Sequence, residues 1–360
     1  MFRPPGGLSP PCRATGIRGG AMMSLLEAAG LAKAYPAENG LLARSGELIR
    51  AVDGVSFQLE RGETLGLVGE SGCGKSTLGR LLLRLEEPTA GKITLDGRDI
   101  TRLPENRMRQ LRRKIQIIFQ DSYSSLNPRQ TVGSIISEPL ANYRIASKQG
   151  IRQKVGELLA TVGLDPGLAS RYPHEFSGGQ RQRINIARAL APQPGIIVCD
   201  EPVSSLDVSI QAQILNLLKE LKQSLGLSYI FISHDLAAVS YISDRVAVMY
   251  MGKFVEVLGC RELEKQARHP YTRALLAAVP RADLRRRVQA AVRGEPPDPL
   301  HPPAGCRFHP RCPIAVEKCR IEEPLLQASG AGHPVACHAP AELGQGLVRA
   351  QLPRIIDQFF

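Results

Sequence analysis

The feature that most constrains the fold of this chain is a glycine-rich loop that follows a short apolar run. The run, Leu65 to Val68, leads into GESGCGKST, and a helical leucine pattern comes next. A bare match to this pattern would be a weak signal, but a loop between a buried strand and a helix is the context of a P-loop, which binds phosphates. The sequence therefore predicts an α/β fold built around a phosphate site.

The residues of this loop predict specific contacts with a nucleotide. Glycines let the backbone wrap closely around phosphate oxygens, so that successive N–H groups and the helix N-terminus point at the anion. Lys75 is expected to reach the β and γ phosphates, and the hydroxyl of Ser76 to hold Mg²⁺. The candidate nucleotide-binding residues here are Gly69, Ser71, Gly72, Gly74, Lys75, Ser76 and Thr77.

A second buried strand, Ile196 to Cys199, ends in two carboxylates, Asp200 and Glu201. A run that is apolar on both faces is typical of a central parallel strand, and ligands of open α/β sheets bind at the carboxyl ends of such strands. Asp200 is therefore expected near Mg²⁺, and Glu201 is expected to polarise the attacking water. A third strand-like run, SYIFISHD, places His234 as a candidate contact to the γ-phosphate.

A further glycine motif lies between the loop and the carboxylates. In HEFSGGQRQRINIARALA, the residues Ser177, Gly178, Gly179 and Gln180 open an amphipathic helix, and a serine with two glycines at a helix start makes another anion nest. With this motif order, residues 24 to 345 resemble the ATP-binding subunit of ABC transporters. The resemblance implies that two such subunits stack head to tail, and that the SGGQ signature of each closes on the P-loop nucleotide of the other.

The resemblance also assigns roles that spacing alone does not. Tyr35 falls at the aromatic that stacks on adenine, Gln120 at the loop that senses Mg²⁺ and the transporter, and Asp207 at the loop that crosses the dimer. Because the family's catalytic positions are all present, an active ATPase with ATP and Mg²⁺ as ligands is implied. The implied roles are catalysis for Lys75, Glu201 and His234, and Mg²⁺ binding for Ser76, Gln120 and Asp200.

Three other stretches narrow the resemblance to one branch of importers. They are DSYSSLNPRQTVGSIISEPL at 121–140, HPYTRALLAAVP at 269–280 and GEPPDPLHPPAGCRFHPRCP at 294–313, and they are similar to the ATPases of dipeptide, oligopeptide and nickel importers. This implies a peripheral subunit on the cytoplasmic face of the inner membrane that powers uptake of di- or oligopeptides. The implied partners are two membrane permease subunits, a second, non-identical ATPase subunit and, indirectly, an extracytoplasmic peptide-binding protein. Nickel or another non-peptide cargo stays an alternative.

Composition and charge bear on the other function classes. The chain is 43% hydrophobic and 22% charged, as in ordinary folded proteins, and its apolar runs fall short of the roughly 18 to 20 residues that a membrane-spanning helix needs. The net charge of +12 is compatible with nucleic acid or acidic lipid headgroups. We expect a solvated surface beside a negatively charged membrane and no nucleic-acid partner. A soluble ABC-type ATPase acting on nucleic acid or ribosomes stays the alternative.

The predicted organisation has four parts. Residues 1–23 form a basic, disordered arm in which Met22 or Met23 is a candidate start, and residues 24–262 form the cassette. The cassette has a RecA-like parallel core, a helical subdomain at about 121–188 and an antiparallel β part, with a hairpin from Asp244 onward and a loop at 36–50. Residues 263–345 form a small C-terminal appendage with a cysteine cluster, and residues 346–360 a tail.

The appendage contains four of the eight cysteines, Cys306, Cys312, Cys319 and Cys337, in a segment with little apolar content that needs a staple. Disulfides would need an oxidising compartment, which the absence of an export signal disfavours, and unrelated free thiols explain the clustering poorly. The spacing lacks the close pairs of zinc ribbons but leaves both a zinc site and a Cys₄ iron–sulfur cluster open. A zinc site could also use a histidine: His301, His309, His333 or His338. The resemblance favours a [4Fe-4S] cluster, which some peptide-importer ATPases with this tail carry.

Overall fold

The computed structural model describes residues 24–37, 47–121, 123–279, 294–328 and 333–339. The predicted arm and tail lie outside the described residues, as does most of the loop predicted at 36–50. Within the described residues, the chain forms two sheets and several helices, and none of these helices is long and apolar enough to cross a membrane.

Strands and helices are interspersed through the first two-thirds of the chain, as the α/β prediction requires. The strands are β1 (Leu26–Pro36), β2 (Leu48–Leu59), β3 (Thr64–Val68), β4 (Ala90–Leu95), β5 (Arg98–Asp99), β6 (Ile115–Ile118), β7 (Ile196–Asp200), β8 (Ser228–Ile232), β9 (Arg245–Tyr250), β10 (Lys253–Gly259), β11 (Gln327–Ala328) and β12 (Pro334–Val335). The helices are α1 (Lys75–Leu82), α2 (Glu105–Leu111), α3 (Val132–Asn142), α4 (Ile151–Thr161), α5 (Gly178–Leu190), α6 (Val208–Leu225), α7 (Leu236–Ile242), α8 (Leu263–Gln266), α9 (Pro270–Ala278) and α10 (Glu317–Ile321).

The larger sheet has the strand order β11-β12-β10-β9-β3-β8-β7-β6. The strands from β9 to β6 pair in parallel, and every residue of β3, β7 and β8 is buried. Strands buried on both faces read as continuous apolar runs, which is why the sequence identified β7 as a central strand and β3 and β8 as further strands of the sheet. The parallel core is thus confirmed, and the carboxyl ends of β3, β7 and β8 meet at one edge.

Two hydrophobic cores cover the two faces of this sheet. Because successive side chains of a strand point to opposite faces, Ile197 and Cys199 of β7 pack with helices α3 to α7, whereas Ile196 and Val198 pack with α1 and the smaller sheet. The smaller sheet, in the order β2-β1-β4-β5, is antiparallel, as predicted for the antiparallel β part. The edge of the large sheet where β3, β7 and β8 end therefore lies between two packed layers.

The segment predicted to be the helical subdomain contains α3, α4 and α5. The side chain of Thr131 caps α3 by accepting a hydrogen bond from the Ser134 N–H at 3.3 Å, and α3 buries Ile135, Ile136 and Leu140 against its neighbours. The boundaries of the subdomain, and those of the cassette and the appendage, stay predictions.

The C-terminal segment joins the edge of the large sheet. The predicted hairpin is present as the antiparallel pair β9 and β10, and β12 then pairs with β10 while β11 pairs with β12. Across this edge, Nε2 of His333 lies 2.9 Å from the fully buried carboxylate of Glu256 on β10. The appendage is therefore an extension of the cassette sheet.

An aromatic contact anchors this segment more firmly than its composition suggested. Phe308 is 2% exposed and packs against Tyr250 of β9 and Tyr271 of α9, with ring centroids 5.3 and 5.4 Å away. Arg307 adds an ion pair to Asp53 of β2. The expectation that only a covalent or metal staple could hold this part was incomplete, because one large side chain from the segment enters the main core.

Replacing Phe308 by alanine tests this anchor. We expect Phe308→Ala to lower the free energy of unfolding by about 3–5 kcal/mol, since it removes a buried aromatic ring and leaves a cavity. Urea unfolding of the full chain, followed by circular dichroism, measures the change. Ile321→Ala in the same segment is the matched control: Ile321 is 74% exposed, and its loss should matter by less than about 0.5 kcal/mol. Equal effects of the two substitutions would contradict the anchoring role.

Candidate functional site

The phosphate loop lies between β3 and α1, where its backbone packs against two neighbouring strands. A Cβ on Gly69 would lie 2.2 Å from the Met249 carbonyl oxygen, and one on Gly74 would lie 2.0 Å from that of Ala51. Gly74 also has a φ of 107°, which an L side chain rarely adopts. Only glycine at these two positions lets the loop close over the end of β3.

Lys75 begins α1 and turns its ammonium group back into the loop. Its Nζ donates to the carbonyl oxygens of Gly69 at 2.8 Å and of Glu70 at 2.9 Å, and the residue is 5% exposed. A buried ammonium at the start of a helix, beside a glycine-rich loop, suits the binding of a polyphosphate.

Next to the loop, Ser76 and Asp200 bring two oxygen ligands together. The Ser76 hydroxyl donates to Oδ1 of Asp200 at 2.8 Å. Burial raises the pKa of Asp200 above its ordinary value; the Ser76 hydrogen bond opposes this shift, and the nearby charge of Glu201 adds to it. A hydroxyl beside a desolvated carboxylate is a donor set that fits Mg²⁺ in chemistry.

These residues open onto a cavity of about 380 Å³. Besides Ser76 and Asp200, side chains from α1, from the end of β6 and from the following turn line it: Arg80, Phe119, Gln120, Asp121, Ser124 and Ser125. The cavity is large enough to admit phosphate groups and bound water at the ligand edge of the sheet.

Two other predicted site residues, Gln120 and His234, contact the same carboxylate oxygen of Glu201. Nε2 of Gln120 donates to its Oε2 at 3.2 Å, and Nδ1 of His234 lies 3.2 Å from the same oxygen. The backbone of Glu201 has a φ of 48°, a left-handed conformation that costs a non-glycine residue of order 1 kcal/mol or more and persists where surrounding contacts enforce it. The structure thus holds this carboxylate in place at the expense of local strain.

Tyr35, the candidate adenine contact, lies beside the start of α1. Its hydroxyl donates to the carboxylate of Glu86 and is hydrogen-bonded to Thr77. Burial and then this carboxylate raise the pKa of the phenol. The ammonium of Lys33 lies 5.0 Å from the ring centroid. The ring is therefore next to the phosphate-loop helix, and one face carries a cation.

The SGGQ residues begin α5 and form a reciprocal cap. The Ser177 hydroxyl accepts from the Gln180 N–H at 3.3 Å, while Oε1 of Gln180 accepts from the Ser177 N–H at 3.0 Å. The glycines also serve packing: a Cβ on Gly179 would lie 2.6 Å from Cγ2 of Ile210, and one on Gly178 3.2 Å from Leu206. The sequence had suggested only the anion nest for these glycines.

Asp207 caps α6 next to this signature. Its Oδ1 accepts from the hydroxyl of Ser209 at 2.7 Å and from the N–H of Ile210 at 3.0 Å, and these bonds lower its pKa. Because Ile210 also packs on Gly179, Asp207 and the signature are neighbours. Among the described residues, no hydrogen bond or ion pair joins this pair of motifs to the phosphate loop. The predicted site residues thus fall into two separate groups.

Arg80 is a site residue that sequence reasoning missed. It lines the cavity, and its positive charge acts on Asp200 to oppose the rise in that residue's pKa. Its position could have been predicted from the sequence spacing, because Arg80 follows Ser76 by four positions on α1 and residues four apart lie on the same face of a helix.

The four C-terminal cysteines are neighbours in space. Burial raises the pKa of Cys306 and Cys337 to about 11, and the thiols of Cys312 and Cys319 act in the same direction on both. The Cys306 N–H donates to the Cys319 carbonyl oxygen at 2.8 Å, and burial also raises the pKa of Cys312. In the described ranges, however, no three His, Cys, Asp or Glu side chains converge closely enough to hold a metal ion.

The histidines near the thiols have other partners. His309 contacts the Cys306 carbonyl oxygen, His338 the Glu322 carbonyl oxygen, His301 the carboxylate of Asp298 and His333 that of Glu256. Each of these contacts involves one ring nitrogen, and a histidine that binds a metal commonly makes such a contact through its other nitrogen, so the four thiols and a histidine all stay candidate ligands.

Two family models match the chain. The model described as ABC transporter matches residues 52–204, and that described as oligopeptide/dipeptide transporter, C-terminal region, matches residues 255–319. The first range contains the phosphate loop, the signature and the carboxylates. The second begins within β10 and ends at Cys319.

Proteins of known family are similar over most of the chain. The probable peptide ABC transporter ATP-binding protein of Sinorhizobium fredii is 53% identical over 319 residues, covering 88% of this chain and 90% of that protein. The oligopeptide transport ATP-binding protein AppF of Bacillus subtilis is 52% identical, covering 88% and 97%. The dipeptide transport ATP-binding protein DppF of Haemophilus influenzae is 51% identical, covering 87% and 96%.

Solved structures match the cassette part. The ATP-binding cassette MJ0796, in a dimeric post-hydrolysis state bound to ADP and Pi, is 29% identical with a TM-score of 0.58, covering 66% of this chain and 99% of that one. A second cassette structure, cbiO1 from Clostridium perfringens, is 28% identical with the same TM-score, covering 67% and 90%. The chain therefore belongs to the ABC transporter family, as an ATPase subunit that carries the oligopeptide/dipeptide transporter C-terminal region.

Proposed function

We propose that this chain hydrolyses ATP to power the uptake of di- or oligopeptides through an ABC importer. The observation that carries the proposal is the convergence of Gln120 and His234 on the carboxylate of Glu201, beside the Ser76–Asp200 pair and the buried Lys75. The peptide cargo is supported by the C-terminal region and by relatives named for peptide, oligopeptide and dipeptide transport.

In this proposal, each residue of the first group acts on one part of the reaction. Lys75 and the loop N–H groups bind the β and γ phosphates, and Tyr35 stacks on the adenine. Glu201 orients a water and takes its proton as the water oxygen attacks the γ-phosphorus; the bond from that phosphorus to the bridging oxygen breaks, leaving ADP and phosphate. His234 contacts the γ-phosphate.

The divalent ion has its ligands in the same group. Ser76, Gln120 and Asp200 would hold Mg²⁺, which when bound neutralises charge on the β and γ phosphate oxygens. The raised pKa of Asp200 supports this assignment, because burial disfavours the charged form of this carboxylate and a bound cation would favour it.

The second group, at SGGQ and Asp207, is proposed to act on a nucleotide held by another ATPase subunit. Its separation from the phosphate loop of the same chain supports this arrangement, as does the exposed Val208 next to Asp207. In the complete importer, the partners would be a second, non-identical ATPase subunit and two membrane permeases, with a peptide-binding protein acting from the far side. The chain would lie peripherally on the cytoplasmic face of the inner membrane.

We also propose that Cys306, Cys312, Cys319 and Cys337 hold a [4Fe-4S] cluster, with zinc as the rival. The thiols fit in type and in proximity, although they would have to draw closer than they lie here. Their mutual proximity supports the proposal: burial and then the neighbouring thiols raise the pKa of Cys306 and Cys337, and a metal ion would reverse that shift. A bound cluster or ion would tie α10 to the preceding turn and to the strand β12.

Measuring the metal content of the protein distinguishes a [4Fe-4S] cluster from a zinc ion. We expect anaerobically purified protein to be brown, with iron and sulfide in equal amounts, and Cys319→Ser to lose both because it removes a buried ligand. Cys260→Ser, a cysteine outside the group, should keep the metal. Colourless protein with one zinc would establish the rival, and protein without metal would contradict both.

Replacing Glu201 by glutamine tests its role in hydrolysis. We expect Glu201→Gln to slow phosphate release by roughly 10²–10⁴-fold in the assembled complex, because the amide cannot take the proton, while ATP still binds. Glu220→Gln, at an exposed position of α6, is the matched control and should leave the rate unchanged. Hydrolysis at the normal rate in the Glu201 variant would refute the general-base assignment.

A pair of cap substitutions separates folding from function at the signature. Ser177→Ala removes the side-chain cap of α5, and Thr131→Ala removes that of α3. Each substitution should lower the free energy of unfolding by about 1 kcal/mol. Only Ser177→Ala is expected to slow ATP hydrolysis, by roughly 10²-fold, because its hydroxyl also serves the partner's nucleotide. If both variants keep the wild-type rate, the signature has only a capping role here.

A further inference from the structure

The phosphate loop is held from outside by residues of the C-terminal region. Glu70 follows Gly69 in the loop, and its carboxylate accepts two hydrogen bonds from Arg311, Nη1 to Oε2 at 2.8 Å and Nη2 to Oε1 at 3.0 Å. The backbone N–H of the same residue donates to the hydroxyl of Tyr271 on α9 at 2.8 Å. One loop residue is thus fixed through both its side chain and its backbone.

This contact has the features of a strong and directional one. Two parallel hydrogen bonds between a guanidinium and a carboxylate fix orientation as well as distance. The Arg311 side chain is 6% exposed and that of Glu70 25%, so solvent screens the pair weakly. Arg311 also donates to the hydroxyl of Tyr250 at 3.2 Å.

The residues that hold Glu70 are themselves rigidly placed. The rings of Tyr250 and Tyr271 lie 4.7 Å apart by centroid, and Phe308 packs against both. Tyr271 is fully buried. Arg311 therefore extends from a packed aromatic cluster toward the loop.

Glu70 in turn contacts the residue expected to bind the phosphates. Its carbonyl oxygen accepts a hydrogen bond from Nζ of Lys75 at 2.9 Å. Three residues, Arg311, Glu70 and Lys75, thus form a continuous chain of hydrogen bonds from the C-terminal region to the centre of the loop. Arg311 also neutralises an acidic side chain in a loop that receives an anion, where an unpaired carboxylate would repel it.

We propose that Arg311 and Tyr271 are positioning residues of the nucleotide site, which hold the phosphate loop in its binding shape through Glu70. The C-terminal region is then part of the ATPase site as well as a structural extension of the cassette. This inference rests on the proposed ATP hydrolysis and adds the residues by which the C-terminal region supports it.

ATP affinity in matched variants of the purified full chain tests the proposal. Arg311→Gln should raise the Kd of the chain for trinitrophenyl-ATP by roughly tenfold, because it loosens the loop and leaves the Glu70 charge unpaired. In the assembled complex it should raise the KM for ATP by a similar factor, with a smaller effect on kcat. Arg307→Gln is the control: it removes a partly buried guanidinium of the same segment that pairs with Asp53 and the Met251 carbonyl and does not touch Glu70. It should leave both constants within about twofold of wild type.

A double-mutant cycle tests whether Arg311 affects ATP affinity through Glu70. If Arg311 acts through Glu70, the double variant Arg311→Gln/Glu70→Gln should bind ATP more tightly than the sum of the single effects predicts, whereas Arg307→Gln/Glu70→Gln should be additive. Should Arg311→Gln not fold, Tyr271→Phe keeps the ring and removes only the oxygen that accepts from Glu70; a rise of a few-fold in Kd is then the supporting result.

Two outcomes overturn the proposal. The first is that the Arg311→Gln and Arg307→Gln variants bind ATP equally well and that both double-mutant cycles are additive. The second applies if Arg311→Gln does not fold, and is that folded Tyr271→Phe binds ATP with wild-type affinity. Failure of the proposed function is distinguishable, because there the wild-type chain would not bind trinitrophenyl-ATP and the wild-type complex would not hydrolyse ATP.

Discussion

The close packing of the phosphate loop against β2 and β9 is the constraint on which the site depends. With no room for a side chain at Gly69 or Gly74, the loop backbone contacts Ala51 of the small sheet and Met249 of the large one. The two sheets therefore meet at the loop, and the loop in turn sets where Lys75 and Ser76 begin α1. A shift of either sheet would move the phosphate-binding groups.

Electrostatics at the ligand edge follow from that geometry. Asp200 is buried and Glu201 is held in a left-handed conformation, so two acidic groups lie side by side where solvent is partly excluded. The positive charges of Arg80 and Lys75 oppose the resulting rise in the pKa of Asp200. Such an arrangement is costly without ligands and suits a site whose substrate and metal ion bring compensating charges.

The C-terminal region connects to this edge by three kinds of contact. It adds β12 and β11 to the large sheet, places Phe308 in the core, and brings Arg311 to Glu70 in the phosphate loop. The composition of this region had indicated a part too poor in apolar residues to pack by itself. For the whole chain this was incomplete, because the cassette supplies the other half of each contact.

The sequence by itself determined the phosphate loop, the three buried strands, the signature helix and the carboxylates, because each is written in a short local pattern of glycines, apolar runs or capping residues. It also identified His234 from its place at the end of a strand-like run, and Gln120 through family resemblance. Only the tertiary structure decided which of these side chains meet, that Arg80 joins them, and that the signature glycines pack on Ile210 and Leu206. Arg311 and Glu70 lie 241 positions apart, and neither carries a local pattern that names its partner, so their pairing follows from the fold alone.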